Sequence, residues 1–266
     1  MELKLGDVQT TALIPLAVKA NETLRPNPRI RDEKAVEIIK HLNIDTKPYD
    51  AFMSHEGVVA RTIMLDRQLK RIIEKEPESV IVNIGAGFDD RFSRVDNGRI
   101  LWFDVDLPDA MAARQKAFEK RERVYEIAGD ALKDSWCAEV NKVLDGRSAK
   151  PVFIAEGLFM YLTLDQIREF LEVLKRGFPG GGTLIAEQNN KLMAKNEKYH
   201  DTVKNTKAHF MSGTDSGKEI AALTDGIRFI DEHSFNEEMK KYSVRGWLFA
   251  FFLPKMNDRW ATFEWG

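Results

Sequence analysis

Residues Val82 to Arg91 read VNIGAGFDDR, an apolar run that closes on Gly85 and Gly87. Where a dinucleotide-binding turn carries its third glycine, this chain has Asp90, flanked by Asp89 and Arg91. In a dinucleotide site the turn presents an anionic pyrophosphate to a helix N-terminus, and the third glycine lets helix and strand pack closely. Two carboxylates there disfavour such an anion and favour a ligand that lacks phosphates and carries positive charge. The glycines let backbone approach it. More acids close the later apolar runs. RILWFDVD ends in Asp104 and Asp106, and Asp106 follows Gly85 by 21 positions, the distance at which a ribose-binding acid belongs. Its other role would be to cap a helix starting at Pro108. A third run ends in Gly129–Asp130, placed to reach an adenine. A fourth leads into AEGLFMYL, whose Glu156 is suited to a cationic group. In that stretch Leu158 and Leu162 read as core, while Tyr161 is open between core and site.

S-adenosylmethionine combines these demands: a sulfonium, an α-amino group, a ribose and an adenine, with no phosphate. The elements needed to hold it are legible. The first ~75 residues read as helices (TTALIPLAVKANETL, DEKAVEIIKHL and EGVVARTIMLDRQLKRIIEKE), with Pro26, Pro28 and Pro48 in the joints. From Ser79 the pattern turns to short β-rich runs between helices: SVIVNIG, RILWFDVD, RVYEIAG, KPVFIAEG and GGTLIAEQ. Their near-continuous apolar character fits strands buried on both faces of a parallel sheet. Pro108 sits just inside one helix start, and Thr163 with Gln166 makes a capping-box pattern before a helix closed by Gly177 and Pro179. The middle is therefore a doubly wound, Rossmann-like α/β unit with its ligand beyond the carboxyl ends of the strands. After Gln188 a polar, mostly helical segment reads as an insertion over that edge, and VRGWLFAFFL with RWATFEWG, parted by PKMND, reads as a closing antiparallel pair. The expected organisation is one domain: a helical cap over 1–75, a cofactor-binding core over 76–188, a lid insertion over 189–233 and closing strands over 234–266.

Composition narrows the partners. At 266 residues, 43% hydrophobic and 10% aromatic, the chain supports a packed core. A formal net charge of −2 gives no global field for nucleic acid or an anionic membrane. No run approaches the ~20 apolar residues of a membrane span, and the N-terminal stretch is too interrupted for a signal peptide, so a cytoplasmic protein is expected. The single cysteine, Cys137, reads as a buried small hydrophobe. His41, His55, His200, His209 and His233 form no metal-ligand spacing, so no metal is expected.

The stretches TALIPLAVKANETLRPNPRIRDEKAVEII, VVARTIMLDRQL, VNIGAGFDDRF, LWFDVDLPDAM and FIAEGLFMYLT occur in order over roughly residues 10 to 165. In this the chain resembles the leucine carboxyl methyltransferase and polyketide-tailoring O-methyltransferase family, class I enzymes that use S-adenosylmethionine. The resemblance implies a mostly parallel seven-stranded sheet with a closing antiparallel strand. It also implies that Arg61 meets the methionine carboxylate, Gly85 lies against the cofactor backbone, Asp106 holds the ribose, Asp130 and Ala131 approach the adenine, and Glu156 sits at the methionine end. The chain departs from the family in Asp104, where the family usually has Glu, and in Asp90, where it commonly has Thr or Ser.

By the same resemblance the reaction is O-methylation of a carboxylate or hydroxyl on a small molecule or peptide terminus. A carboxylate with pKa about 4 needs no base, whereas a phenol near 10 does. The lack of an evident base motif leans toward a carboxylate, and His200 and His209 keep a phenol acceptor open. A nicotinamide-dependent oxidoreductase shares the fold and stands as the alternative outside the methyltransferases.

Overall fold

The structure, a computed structural model, describes residues 6, 9–144, 150–196, 200–253 and 257–266. The residues at 254–256 that part the two C-terminal runs, and 197–199 of the insertion, lie outside these. Seven strands form one sheet: β1 (Val80–Ile84), β2 (Leu101–Asp106), β3 (Val124–Ala128), β4 (Val152–Ala155), β5 (Gly182–Gln188), β6 (Arg228–Ser234) and β7 (Arg259–Trp265). Their order is β3-β2-β1-β4-β5-β7-β6, and only β7 runs against its neighbours. From β1 the chain moves outward through β2 to β3, then returns to place β4 on the other side of β1. The order thus reverses between β1 and β4, and their carboxyl ends splay apart into a crevice.

β1, β2, β4 and β5 are buried almost throughout, as the continuous apolar runs require. One face packs on α6 (Ser135–Leu144) and α7 (Leu164–Gly177), the other on the 24-residue α3 (Phe52–Lys75). The expected capping box is present: Thr163 Oγ1 accepts from Gln166 N–H, and Gln166 Oε1 accepts from Thr163 N–H. Ahead of α3, α1 (Leu13–Thr23) and α2 (Glu33–Leu42) fold over the carboxyl edge.

Two elements at the C-terminal end differ from expectation. VRGWLFAFF forms α11 (Val244–Phe252), a helix and not a strand. β7 is antiparallel to β5 on one side and on the other to β6, RFIDEHS, which lies, but for Ser234, inside the range expected to be lid. A short aromatic-rich run has no periodicity that separates strand from helix, and here Ser243 decides by accepting the Gly246 N–H at 2.9 Å as an N-cap. β6 is an edge strand, mostly exposed, and its Arg228, Asp231, Glu232 and His233 hide its strand character while guarding the edge. The insertion after β5 is less helical than expected: it holds two five-residue helices, α8 (Lys191–Lys195) and α9 (Gly217–Ala221), and one 3₁₀ turn at Val203–Asn205 among the described residues.

Candidate functional site

At the carboxyl edge, around the ends of β1 and β4, lies a cavity of about 860 Å³, near the top of the roughly 300–1,000 Å³ range of small-ligand pockets. Arg61, Gly85, Gly87, Asp106, Asp130, Ala131 and Glu156 all line it. Gly85 and Gly87 have φ of +72° and +50°, and a Cβ on Gly87 would stand 3.2 Å from the Ala12 Cβ, so α-carbon hydrogens are what the turn tolerates. Asp106 Oδ2 accepts the Gly87 N–H at 2.7 Å, tying the end of β2 to the glycine turn. It does not cap the next helix: α5 (Pro108–Ala117) starts from Leu107 with no side-chain cap. Burial raises the Asp106 pKa above the ordinary carboxyl value. Asp104 is buried outside the cavity, taken up by Asn83, Trp102 Nε1 and Arg114. Asp130 accepts from Leu132 N–H at 2.9 Å beside Ala131.

Asp89 and Asp90, read from the sequence as bare charges repelling a phosphate, are both paired. Asp89 meets Lys19 at 2.7 Å, Arg91 at 2.7 Å and Arg94 at 3.3 Å, while Asp90 meets Arg121 at 2.5 Å. Burial opposes ionisation of Asp89, but Arg91, Lys19 and Arg94 outweigh it and hold the carboxyl well below the usual range. The negative character lies deeper. The same triplet lies across the end of β4 and just before the end of β5, Ile154-Ala155-Glu156 and Ile185-Ala186-Glu187, and the register pairs Ile154 with Ile185 and Ala155 with Ala186. Glu156 and Glu187 therefore emerge side by side at the crevice, and Arg61 from α3 sits against both. Its Nη1 is 3.0 Å from Glu187 Oε2, and its Nε is 2.9 Å from Glu156 Oε1, an ion pair without hydrogen-bond geometry.

Arg91 takes the other Glu156 oxygen at 2.6 Å and joins Asp66 and Asp89; Arg94 and Lys19 extend the lattice to Asp32. In this lattice four cations (Lys19, Arg61, Arg91, Arg94) face five carboxylates (Asp32, Asp66, Asp89, Glu156, Glu187). Burial raises the Glu187 pKa while Arg61 opposes the rise; with Glu187 ionised the surplus is negative and complements a ligand of net positive charge. Arg61 does not present a free two-pronged clamp, since only Nη2 is left without a partner among the described residues. Glu187 was missed in the sequence, where the repeated I-A-E at two successive strand ends was the available signal.

The outer part of the cavity is apolar, with Met53, Met160, Tyr161, Met193, Phe210 and Phe249 among its walls. Tyr161 is a wall residue, 5.9 Å from Phe210 between ring centroids, and burial pushes its phenol up to about 12. His200 also lines the cavity, but its Nδ1 accepts the Val203 N–H at 3.2 Å. An N–H only donates, so the ring proton belongs on Nε2, and burial lowers the pKa below that of an ordinary histidine. His200 is thus a neutral donor toward the cavity. His209 is exposed and does not line it. Cys137 is buried, its thiol pushed up to about 12 by burial, so it is not a nucleophile at neutral pH. No cluster able to hold a metal occurs among the described residues. A further acid, Asp258, joins the cavity wall just before β7.

The switch-point crevice, the glycine turn at the end of β1 and the acid at the end of β2 define a class I methyltransferase whose cofactor is S-adenosylmethionine. The chain belongs to the leucine carboxyl methyltransferase family, whose model matches residues 12–175. Among curated proteins it is 25% identical over 234 residues to the tetracenomycin polyketide synthesis O-methyltransferase TcmP of Streptomyces glaucescens, covering 87% of this chain and 84% of that one. It is 22% identical to the S-adenosyl-L-methionine-dependent methyltransferase dpfgK of Gibberella zeae, covering 95% and 90%. Among solved structures, a putative methyltransferase from Thermobifida fusca YX shares the fold with a TM-score of 0.61 at 12% identity, covering 96% and 94% of the two chains. No helix among the described residues is long and apolar enough to cross a membrane.

Proposed function

We propose that the protein transfers a methyl group from S-adenosylmethionine to a hydroxyl oxygen of an apolar, aromatic small molecule. One observation carries the choice of hydroxyl over carboxylate: among the described residues the cavity wall holds only two permanent cations, and both are engaged. Lys19 is bound by Asp32 and Asp89, and Arg61 keeps one free nitrogen. With that nitrogen given to the methionine carboxylate, an anionic acceptor would have, among the described residues and the cofactor, only the cofactor's own positive charge to set against the surrounding carboxylates, at a cost that a neutral hydroxyl avoids. The aromatic and methionine walls, and the likeness to TcmP, support an acceptor of the polyketide kind.

In this reading Gly85 and Gly87 take the cofactor backbone, Asp106 the ribose hydroxyls, and Asp130 with Ala131 the adenine. Arg61 Nη2 takes the methionine carboxylate, while Glu156 and Glu187 favour the positive sulfonium and ammonium. The cofactor supplies an activated methyl group; the chain aligns the acceptor oxygen with it and excludes water. Leu192, Met193, His200, Val203 and Phe210 line the outer cavity together with α1 and α3 and serve as its lid.

The test is to incubate the protein with methyl-labelled cofactor and a panel of aromatic hydroxyl and carboxyl compounds, then treat the products with mild alkali. Label that survives as an aryl ether supports the hydroxyl reading. Label released as methanol reports a methyl ester and returns the acceptor to a carboxylate.

A further inference from the structure

A hydroxyl acceptor needs its proton removed as the new bond forms, and the residues that the sequence offered for this are not free to do it. Of the two histidines offered, His200 has spent its basic nitrogen on Val203 N–H and His209 is off the cavity; Tyr161, a wall residue, holds its own proton tightly. The other histidines, His41, His55 and His233, are also absent from the cavity wall. Asp201, a cavity acid, is consumed: its carboxylate accepts the Met53 N–H at 2.8 Å and the Ser54 N–H at 3.2 Å.

Asp258 differs in each respect. β7 runs antiparallel to β5, with Arg259 opposite Gln188. The residue before Arg259 therefore lies at the carboxyl edge of the parallel strands, on the same rim as Glu156 and Glu187. Asp258 has its backbone fixed on both sides: its N–H donates to Asn257 Oδ1 at 2.9 Å, and its carbonyl accepts from Phe235 N–H at 3.0 Å. Its carboxylate has no hydrogen bond or ion pair among the described residues, although it lines the cavity. The neighbouring Arg259 is turned elsewhere, to the Thr214 carbonyl and to Glu232 at 3.3 Å.

We propose that Asp258 is the proton acceptor in the transfer, the catalytic base for the acceptor hydroxyl. The assignment rests on the hydroxyl reading above. As the acceptor oxygen's lone pair forms the bond to the methyl carbon, its O–H proton passes to an Asp258 oxygen, and the carbon–sulfur pair stays on sulfur, leaving a neutral thioether. Charge balances: the cation loses its charge as the carboxylate loses its own. The electrostatics agree. Burial, reinforced by Glu187, pushes the Asp258 carboxyl up to about 8, while Arg61 and Arg259 oppose the rise. The phenol of Tyr161 is also within reach of its field. A base in this range is matched to work near neutral pH, which an ordinary aspartate near 4 is not. A cationic cofactor beside it favours the ionised form, so binding S-adenosylmethionine should expel a proton at neutral pH where the neutral S-adenosylhomocysteine expels fewer.

Two readouts test this in the full chain. In the first, kcat/KM for an aromatic hydroxyl acceptor at saturating S-adenosylmethionine should rise with pH on a limb centred below the ligand-free value of about 8, because the cofactor's charge favours the carboxylate. Asp258→Asn should lower kcat by about 10²-fold or more and lose that limb, while Asp258→Glu recovers part of the rate. In the second, calorimetric titration of S-adenosylmethionine in buffers of different ionisation enthalpy should show proton release from wild type at pH 7 that Asp258→Asn abolishes with cofactor affinity kept. If Asp258→Asn fails to fold, the Glu variant carries both measurements through a displaced limb and altered proton release. A base-stable ether made by Asp258→Asn at the wild-type rate and pH profile overturns the role of Asp258 alone. An alkali-labile ester from wild type overturns the hydroxyl reading and this role together.

Discussion

At Asp106 two roles compete, ribose ligand and helix cap, and geometry separates them. The helix that follows takes no side-chain cap, and the carboxylate instead grips the Gly87 amide while facing the cavity. Asp106→Ala is therefore expected to weaken S-adenosylmethionine binding by about 1.5–3 kcal/mol, the scale of charge-assisted hydrogen bonds. The melting temperature of the free protein should move little. Calorimetric affinity with thermal denaturation checks both; unchanged affinity would remove Asp106 from the ribose. This residue and the glycines before it were legible because their spacing is local, set within one βαβ unit. Asp258 was not. Nothing in PKMND sets its aspartate apart from an ordinary loop acid, and the electrostatics of Asp258 come from Glu187 and Arg61, which lie far from it in the chain.

At the scale of elements, the tie between the post-β5 segment and α3 shows what positions that segment. α3 begins at Ala51 without a cap of its own; Asp201, 148 residues away from Met53, supplies it by accepting the first free N–H groups of the helix. A carboxylate at a helix N-terminus satisfies these donors and complements the dipole. Asp201→Ala should cost about 0.5–2 kcal/mol of stability. It should also speed proteolysis between residues 189 and 215 in the absence of cofactor, with cofactor restoring protection. Equal cleavage rates in variant and wild type would show that the segment is held elsewhere. Sequence reading placed an insertion here but overestimated its helix content, because polar residues at helical spacing do not tell a solvated helix from a loop pinned by distant partners.

Across the whole molecule, the core is the sheet and the helices on its two faces, while α11 lies at its margin, touching it through Phe249 and leaving most of its large side chains exposed. Phe170 is fully buried, edge-on to Phe159 at 5.6 Å, whereas Trp247 and Phe251 of α11 stay 49% and 64% exposed and stack mainly on each other. Phe170→Ala should cost about 3–5 kcal/mol, the range for emptying an aromatic site in a core. Trp247→Ser and Phe251→Ser should each stay within about 0.5 kcal/mol of wild type, as exposed positions do. Denaturant midpoints for the three variants would check the contrast, and a large loss from the α11 variants would mean that this helix is part of the core.

By itself the sequence determined the five parallel strands of a doubly wound unit, the glycine turn, the acids at the strand ends and the capping of α7. Each is encoded within a few residues: a buried parallel strand must be apolar along its length, and a turn after it must be glycine where φ is positive. Only the tertiary structure decided which acids are bare. Lys19 reaches Asp89 across 70 positions and Arg121 reaches Asp90 across 31, so two aspartates that read as bare charges are paired. Tertiary structure likewise placed Asp258, unpaired, on the rim, and gave the edge beside β7 to the polar RFIDEHS in place of the aromatic run. A residue's charge state and a strand's partner depend on distances between segments remote in the chain, and local pattern carries no record of those distances.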